Sequence, residues 1–275
     1  HRLSSAASDV YKRQLINMSK HNALQMFGRS GNPTLNDATF SNFSSSDSVG
    51  GGFMTLQGTV NKTGILLLLV TLSATLTWNL YFETRDASAV MPLGIGGAIT
   101  GFILAIVTMF KPSWSGITGP AYALAQGLFL GAISAIFESQ YQGIVIQAVG
   151  LTLGTLSSLL LLYKTGIIKP TENFRLMIVS ATMGIALLYT VSIIMNMFGS
   201  DIGFIHSNGL FGIGFSLFVV AIAALNLVLD FDFIEQGSEQ NAPKYMEWFG
   251  AFSLMVTLIW LYLEMLRLLA KLRSR

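Results

Sequence analysis

Cysteine is absent from the 275 residues, which excludes disulfides, thiolate metal centres and cysteine nucleophiles. Charge is scarce as well: 11% of residues are Asp, Glu, Lys or Arg, where a soluble domain carries about 25%. The formal net charge of +2 is too small, and its cations too little interleaved with aromatics, to mark a nucleic-acid surface. Neither HExxH nor GxSxG occurs, and none of His1, His21 and His206 falls within a long apolar run. No set for intramembrane hydrolysis is therefore present, and an enzyme is not expected. The last apolar run has no lysine before Lys271, which also excludes a Schiff-base photoreceptor.

What the chain does have is hydrocarbon, 52% of its residues. Seven apolar runs stand at 64–82, 90–110, 117–137, 143–163, 177–198, 210–229 and 249–269, separated by turn and charge signals such as ETRDAS and KPSWSG. Runs of this length cross a hydrocarbon core of ~30 Å as helices. They lack the short alternating segments of a membrane barrel, so helices satisfy their backbone groups. The expected fold is an all-α membrane protein, a bundle of seven transmembrane helices in residues 60–275, in a lipid bilayer.

Residues 1–14, HRLSSAASDVYKRQ, resemble a translated library adaptor and are set aside, with Met18 as the expected natural start. Residues 15–59, rich in Ser, Asn and Gly, read as a flexible tail without signal-peptide features. Lysine and arginine in the short loops set orientation. With the tail in the cytoplasm the inner side carries Lys20, Arg29, Lys62, Lys111, Lys164, Lys169, Arg175 and Lys244, eight against Arg85 alone in the outer loops. The C-terminal Arg267, Lys271, Arg273 and Arg275 leave two readings open. Either the last helix crosses and places them outside, or it re-enters and keeps them inside.

Acids set against apolar runs are the candidate functional residues, because a carboxylate in a bilayer core costs several kcal/mol unless it is paired, wet or protonated. Asp230 stands four residues after Asn226 on one helical face, as an ion site reached by water would require, or as an acid that merely ends the span. Asp232 and Glu235 read as solvated loop acids. Glu264 has Arg267 at helical pairing distance, so it forms an interfacial pair or lines a path. Small residues four apart, Gly97 and Gly101, Gly127 and Gly131, Gly150 and Gly154, suit close packing within the bundle or a homodimer seam. The polar Gln126, Ser134 and Asn226 either line a cavity or bond to a neighbouring helix.

The block VLDFDFIE followed by YMEWFGAFSLMVTLIWLYLEMLRLL, with YALAQGLFLGAIS at 122–134 and SGNPTLN in the tail, resembles the Bax inhibitor-1 family in its bacterial YccA-like branch, over about residues 30–272. The resemblance implies seven helices with the last central, in a bacterial cytoplasmic membrane. It also implies a pH-sensitive calcium leak in which two carboxylates, one ending the sixth helix and one in the seventh, share a proton and close the pore on its cytoplasmic side. Asp230 occupies the place of the sixth-helix aspartate. For its partner, Glu247 in YMEW and Glu264 in YLEM both resemble the family pattern, whereas an ungapped match of the C-terminal ending selects Thr257. With the sixth helix ending where the seventh begins, Glu247 lies level with Asp230 and is preferred. Two close carboxylates share a proton near neutral pH, and their oxygens suit Ca²⁺, so Asp230 and Glu247 would also hold Ca²⁺ transiently, with no resident cofactor. The resemblance further implies a rival role, restraint of a membrane-embedded quality-control protease through the N-terminal tail.

Overall fold

The computed structural model describes residues 52–199 and 209–274. The adaptor-like segment and nearly all of the predicted tail lie outside the described residues. Among the described residues, seven helices long and apolar enough to cross a membrane follow one another. They are α1 (Leu56–Thr84), α2 (Ala87–Phe110), α3 (Ser115–Gln140), α4 (Ile144–Lys164), α5 (Glu172–Met197), α6 (Leu210–Glu239) and α7 (Met246–Arg273), with a 3-10 turn (Pro112–Trp114) before α3.

Local chemistry fixes the ends. The Thr55 hydroxyl accepts from the Gly58 N–H at 3.0 Å and caps α1, Asp86 accepts from the Ser88 N–H at 2.8 Å and caps α2, and Thr171 accepts from the Phe174 N–H at 3.3 Å and caps α5. Between α3 and α4 the chain reverses through Gly143, at φ 76, a conformation that glycine adopts without penalty. The Glu138 carboxylate accepts from the Gly143 and Val145 N–H groups there, satisfying donors at the start of α4.

Burial ranks the helices. The most apolar stretch of α7 is 78% buried and that of α6 61%, against 17–22% for α1, α2, α4 and α5. Helix α7 packs on α6, α1, α4 and α3, whereas α5 packs mainly on α6. The last helix is thus the axis of the bundle, with Phe249, Phe252, Met255 and Leu261 almost fully enclosed. Outward faces stay apolar, as Leu68, Leu72 and Leu76 on α1 illustrate, and this is what contact with lipid tails requires.

Two boundaries differ from the hydropathy reading. Helix α1 starts at Leu56 rather than at 64, so the last residues assigned to the tail are ordered: Met54 is buried, and its N–H donates to the Ala242 carbonyl at 2.7 Å. Helix α6 runs to Glu239, ten residues past its apolar run. Helix α7 is continuous over 28 residues, roughly 42 Å at 1.5 Å per residue. Its start touches the start of α1 through Thr55, and near its end Arg273 donates to the Gln142 carbonyl at 2.6 Å in the α3–α4 turn. The two ends of α7 therefore lie at opposite ends of the bundle, and the re-entrant reading is set aside.

Candidate functional site: buried acids of helices α6 and α7

Gly250 of α7 packs on the Ile234 side chain of α6, which sets the register of this antiparallel pair. Asp230 lies four residues from Ile234 on one side of that contact and Glu247 three residues from Gly250 on the other, so the two acids are separated by roughly 10 Å along the axis. The level of Asp230 on α7 is close to Leu254, flanked by the buried hydroxyls of Ser253 and Thr257. The preferred pairing of Asp230 with Glu247 is therefore not formed. Its premise failed because α6 does not end at Asp230, which sits nine residues before the last helical residue, Glu239.

Glu247 has other partners. Its carboxylate is fully buried, and Oε1 accepts from the Thr55 N–H at 2.9 Å and the Thr55 hydroxyl at 2.7 Å. The Lys244 ammonium lies 2.9 Å from the same oxygen, and Lys62 donates to Oε2. A methyl group on Gly58 would overlap this carboxylate, so the glycine makes its recess. Two ammonium groups facing one carboxylate leave no negative charge for Ca²⁺, which removes Glu247 as a transient metal ligand. Among the described residues no cluster of three Asp, Glu or His side chains is placed to hold a metal ion.

Asp230 itself is 0% exposed, within the helical pair and nearer its turn end than its far end. One turn away, the Asn226 amide donates to the Thr182 hydroxyl at 2.8 Å and the Ile222 carbonyl at 2.9 Å. The Asn226 Oδ1 is buried and accepts from no protein donor. Exchanging the two ends of the amide would set oxygen against the Ile222 carbonyl, so the bonding fixes its orientation. Asp230 and Asn226 thus form a short polar seam inside an apolar core.

The neighbouring acids are held rather than solvated, contrary to expectation. Asp232 accepts from Arg175 at 2.5 Å and from Gln236 at 2.7 Å, and Glu235 accepts from the Tyr163 hydroxyl. At the far end of α7, Glu264 is 2% exposed and forms the expected pair with Arg267 at 2.8 Å. The Tyr189 hydroxyl lies 3.1 Å from Glu264 and accepts from Arg267 at 2.6 Å, which ties the pair to α5. Nearby in sequence, Lys271 donates to the Gly212 carbonyl at 3.0 Å and the Ser216 hydroxyl at 2.9 Å. Ten residues separate Glu264 from the level of Asp230, roughly 15 Å, so Glu264 does not meet it either. Sequence reasoning missed Thr55, Lys62, Tyr163, Arg175 and Tyr189 as partners of these acids. Only the lysine and arginine carried a signal, as cations bordering apolar runs.

No curated protein and no solved structure matches the chain. The family model described as Bax inhibitor 1 like matches residues 9–274. That match takes in every described helix and the polar seam of α6, and the chain belongs to the Bax inhibitor 1-like family.

Proposed function

We propose that the protein is a pH-sensitive cation leak of a bacterial cytoplasmic membrane, with Ca²⁺ as the transported ion, the N-terminus cytoplasmic and Asp230 as the gate. The observation that carries this reading is a fully buried carboxylate in a transmembrane helix, one turn from an amide oxygen with no protein donor. With Asp230 protonated the seam is neutral and α6 stays packed on α7. Loss of the proton puts a charge in the apolar core, where hydration or a cation must compensate it. Oxygen atoms of Asp230, Asn226, Ser253 and Thr257 are hard donors suited to a passing Ca²⁺ that keeps much of its water. The gate is then one carboxylate facing hydroxyls, in place of a carboxylate pair.

Purified protein in liposomes loaded with a calcium dye tests this reading across about pH 6 to 8, the range in which a perturbed acid can switch. Flux should rise with pH in the wild type. In Asp230→Asn, which keeps volume and hydrogen-bonding capacity but cannot ionise, it should be pH-independent. Flux no greater than that of empty vesicles at every pH would sink the proposal.

The rival reading, an adaptor for a membrane-embedded quality-control protease, is favoured by one feature. The segment at Gly52–Thr55 is fastened to the α6–α7 turn, with the Lys244 N–H donating to the Gly52 carbonyl at 3.1 Å. Deleting residues 18–51 spares this strap. Loss of partner binding with flux intact would favour the adaptor.

A further inference from the structure

A cavity of about 360 Å³ lies between α1 and α4, two helices that form no packed interface with each other. Its floor is the axial helix, through Met255, Leu258, Ile259 and Tyr262. On α1 its wall runs from Leu67 to Trp78, a rise of roughly 16 Å. One leaflet of a ~30 Å hydrocarbon core is about 15 Å deep. The α3 wall lies in the second half of that helix and the α4 wall in the first half of its own, while the α7 floor is centred on the middle of the axial helix, so the crevice runs from the bilayer centre toward the side of the α3–α4 turn.

The lining explains what can fill it. The Ser134 and Tyr262 hydroxyls bond to each other at 2.6 Å. Thr71, Thr75 and Thr152 each donate to a carbonyl of their own helix. With each hydroxyl already partnered and the remaining wall hydrocarbon, a polar ligand would find few groups to hold it, and water would gain little there. A cleft open to the bilayer, one leaflet deep and apolar throughout, fits a single hydrocarbon chain. We propose that the crevice between α1 and α4 is a binding site for one acyl chain of a phospholipid in the leaflet on the α3–α4 side, with the chain lying against α7. The site is separate from the Asp230 seam and does not depend on the transport reading.

The test measures phospholipid retained by the full-length protein after exhaustive washing in mild detergent, by phosphorus assay and intact-complex mass spectrometry. Wild type should keep one phospholipid per chain. Val149→Phe and Thr75→Phe, which fill the crevice from α4 and α1, should each lose it, whereas Ile146→Phe should keep it, because Ile146 is 72% exposed on the outer face of α4. If one crevice variant does not fold, the other decides. A second reading uses Trp78 in the wall: in a variant with Phe at the other three tryptophans, its emission should be quenched by a phospholipid brominated on its chains and stay quenched on dilution into unlabelled micelles. No retained lipid in the wild type, equal retention in the crevice variants, loss from Ile146→Phe as well, or immediate recovery of Trp78 emission would each overturn the proposal.

Discussion

Replacing Glu247 by Gln separates a fastening role from a gating one. The substitution keeps an acceptor for Thr55 but removes the charge facing Lys62 and Lys244. Removing one member of a buried ion pair costs about 3–5 kcal/mol. The Lys62 side chain is 17% exposed and reaches water when released, which places the loss near the lower bound. Lys244, with its side chain 48% exposed, adds no more than about 1 kcal/mol. A destabilisation of roughly 3 kcal/mol follows, measurable by reversible unfolding in mixed micelles or by steric trapping in bilayers. Lys62→Met should cost a similar amount, and the double variant should fall short of the sum by about 1–3 kcal/mol, since the two side chains act as one unit. The pH profile of flux should be unchanged in Glu247→Gln. A loss below about 0.5 kcal/mol, the level of an ordinary surface change, would refute the fastening. Loss of the pH response at unaltered stability would restore Glu247 as a gate.

Gly127→Ala should destabilise by about 1–3 kcal/mol, because its methyl group would overlap Ser73 and the Val70 carbonyl where α1 and α3 touch, while Gly150→Ala, with open space, should be neutral or stabilising by up to about 1 kcal/mol; thermal unfolding of the two proteins compares them. Glu264→Gln should leave the pH response of flux intact yet lower stability, and a double-mutant cycle with Tyr189→Phe should give a coupling of about 0.5–3 kcal/mol; additivity would mean that the hydroxyl contributes nothing to holding the acid. The Ser88 hydroxyl and N–H hold the Asp86 carboxyl below its ordinary value of 3.8. Its contribution is thus complete above that value and lost as pH falls through the lower folded one. Asp86→Ala should therefore unfold at a lower temperature than wild type at neutral pH, and the gap should close in strong acid.

The seven crossings were legible because length and hydropathy suffice to define a span. The boundaries were not, because they depend on distant partners. Thr59, Lys62 and Thr63 interrupt the apolar run and look like loop, yet Lys62 is helical because Glu247 receives it, 185 positions away. Asp232 and Glu235 read as solvated loop beyond the sixth run, but Arg175 and Tyr163 hold them inside a continuing helix. That extension moved the α6–α7 turn and with it the register, so the argument that set Glu247 level with Asp230 failed while Asp230 itself remained. The ungapped match had selected Thr257, close to the level that the Gly250–Ile234 contact now indicates. Glu264 with Arg267 was legible from local spacing; Tyr189 was not. Of the three glycine pairs, 97/101 and 127/131 do admit close neighbours, whereas Gly150 and Gly154 face open space, a distinction that spacing does not encode.

The join between Thr55 and Glu247 spans 192 positions, and this orders the birth of the molecule. Six helices are made before α7 exists, and through that interval the Thr55 N–H and hydroxyl lack the Glu247 acceptor and Lys62 lacks that counterion. The helix that becomes the axis is also the last to be made, so the first six cannot reach their final packing without it. A chain stalled or cut before Met246 leaves Lys62 without the Glu247 carboxylate that neutralises it in the finished protein. The join of Thr55 to Glu247 can close only once α7 has been made, and its closure separates the completed protein from the truncated one.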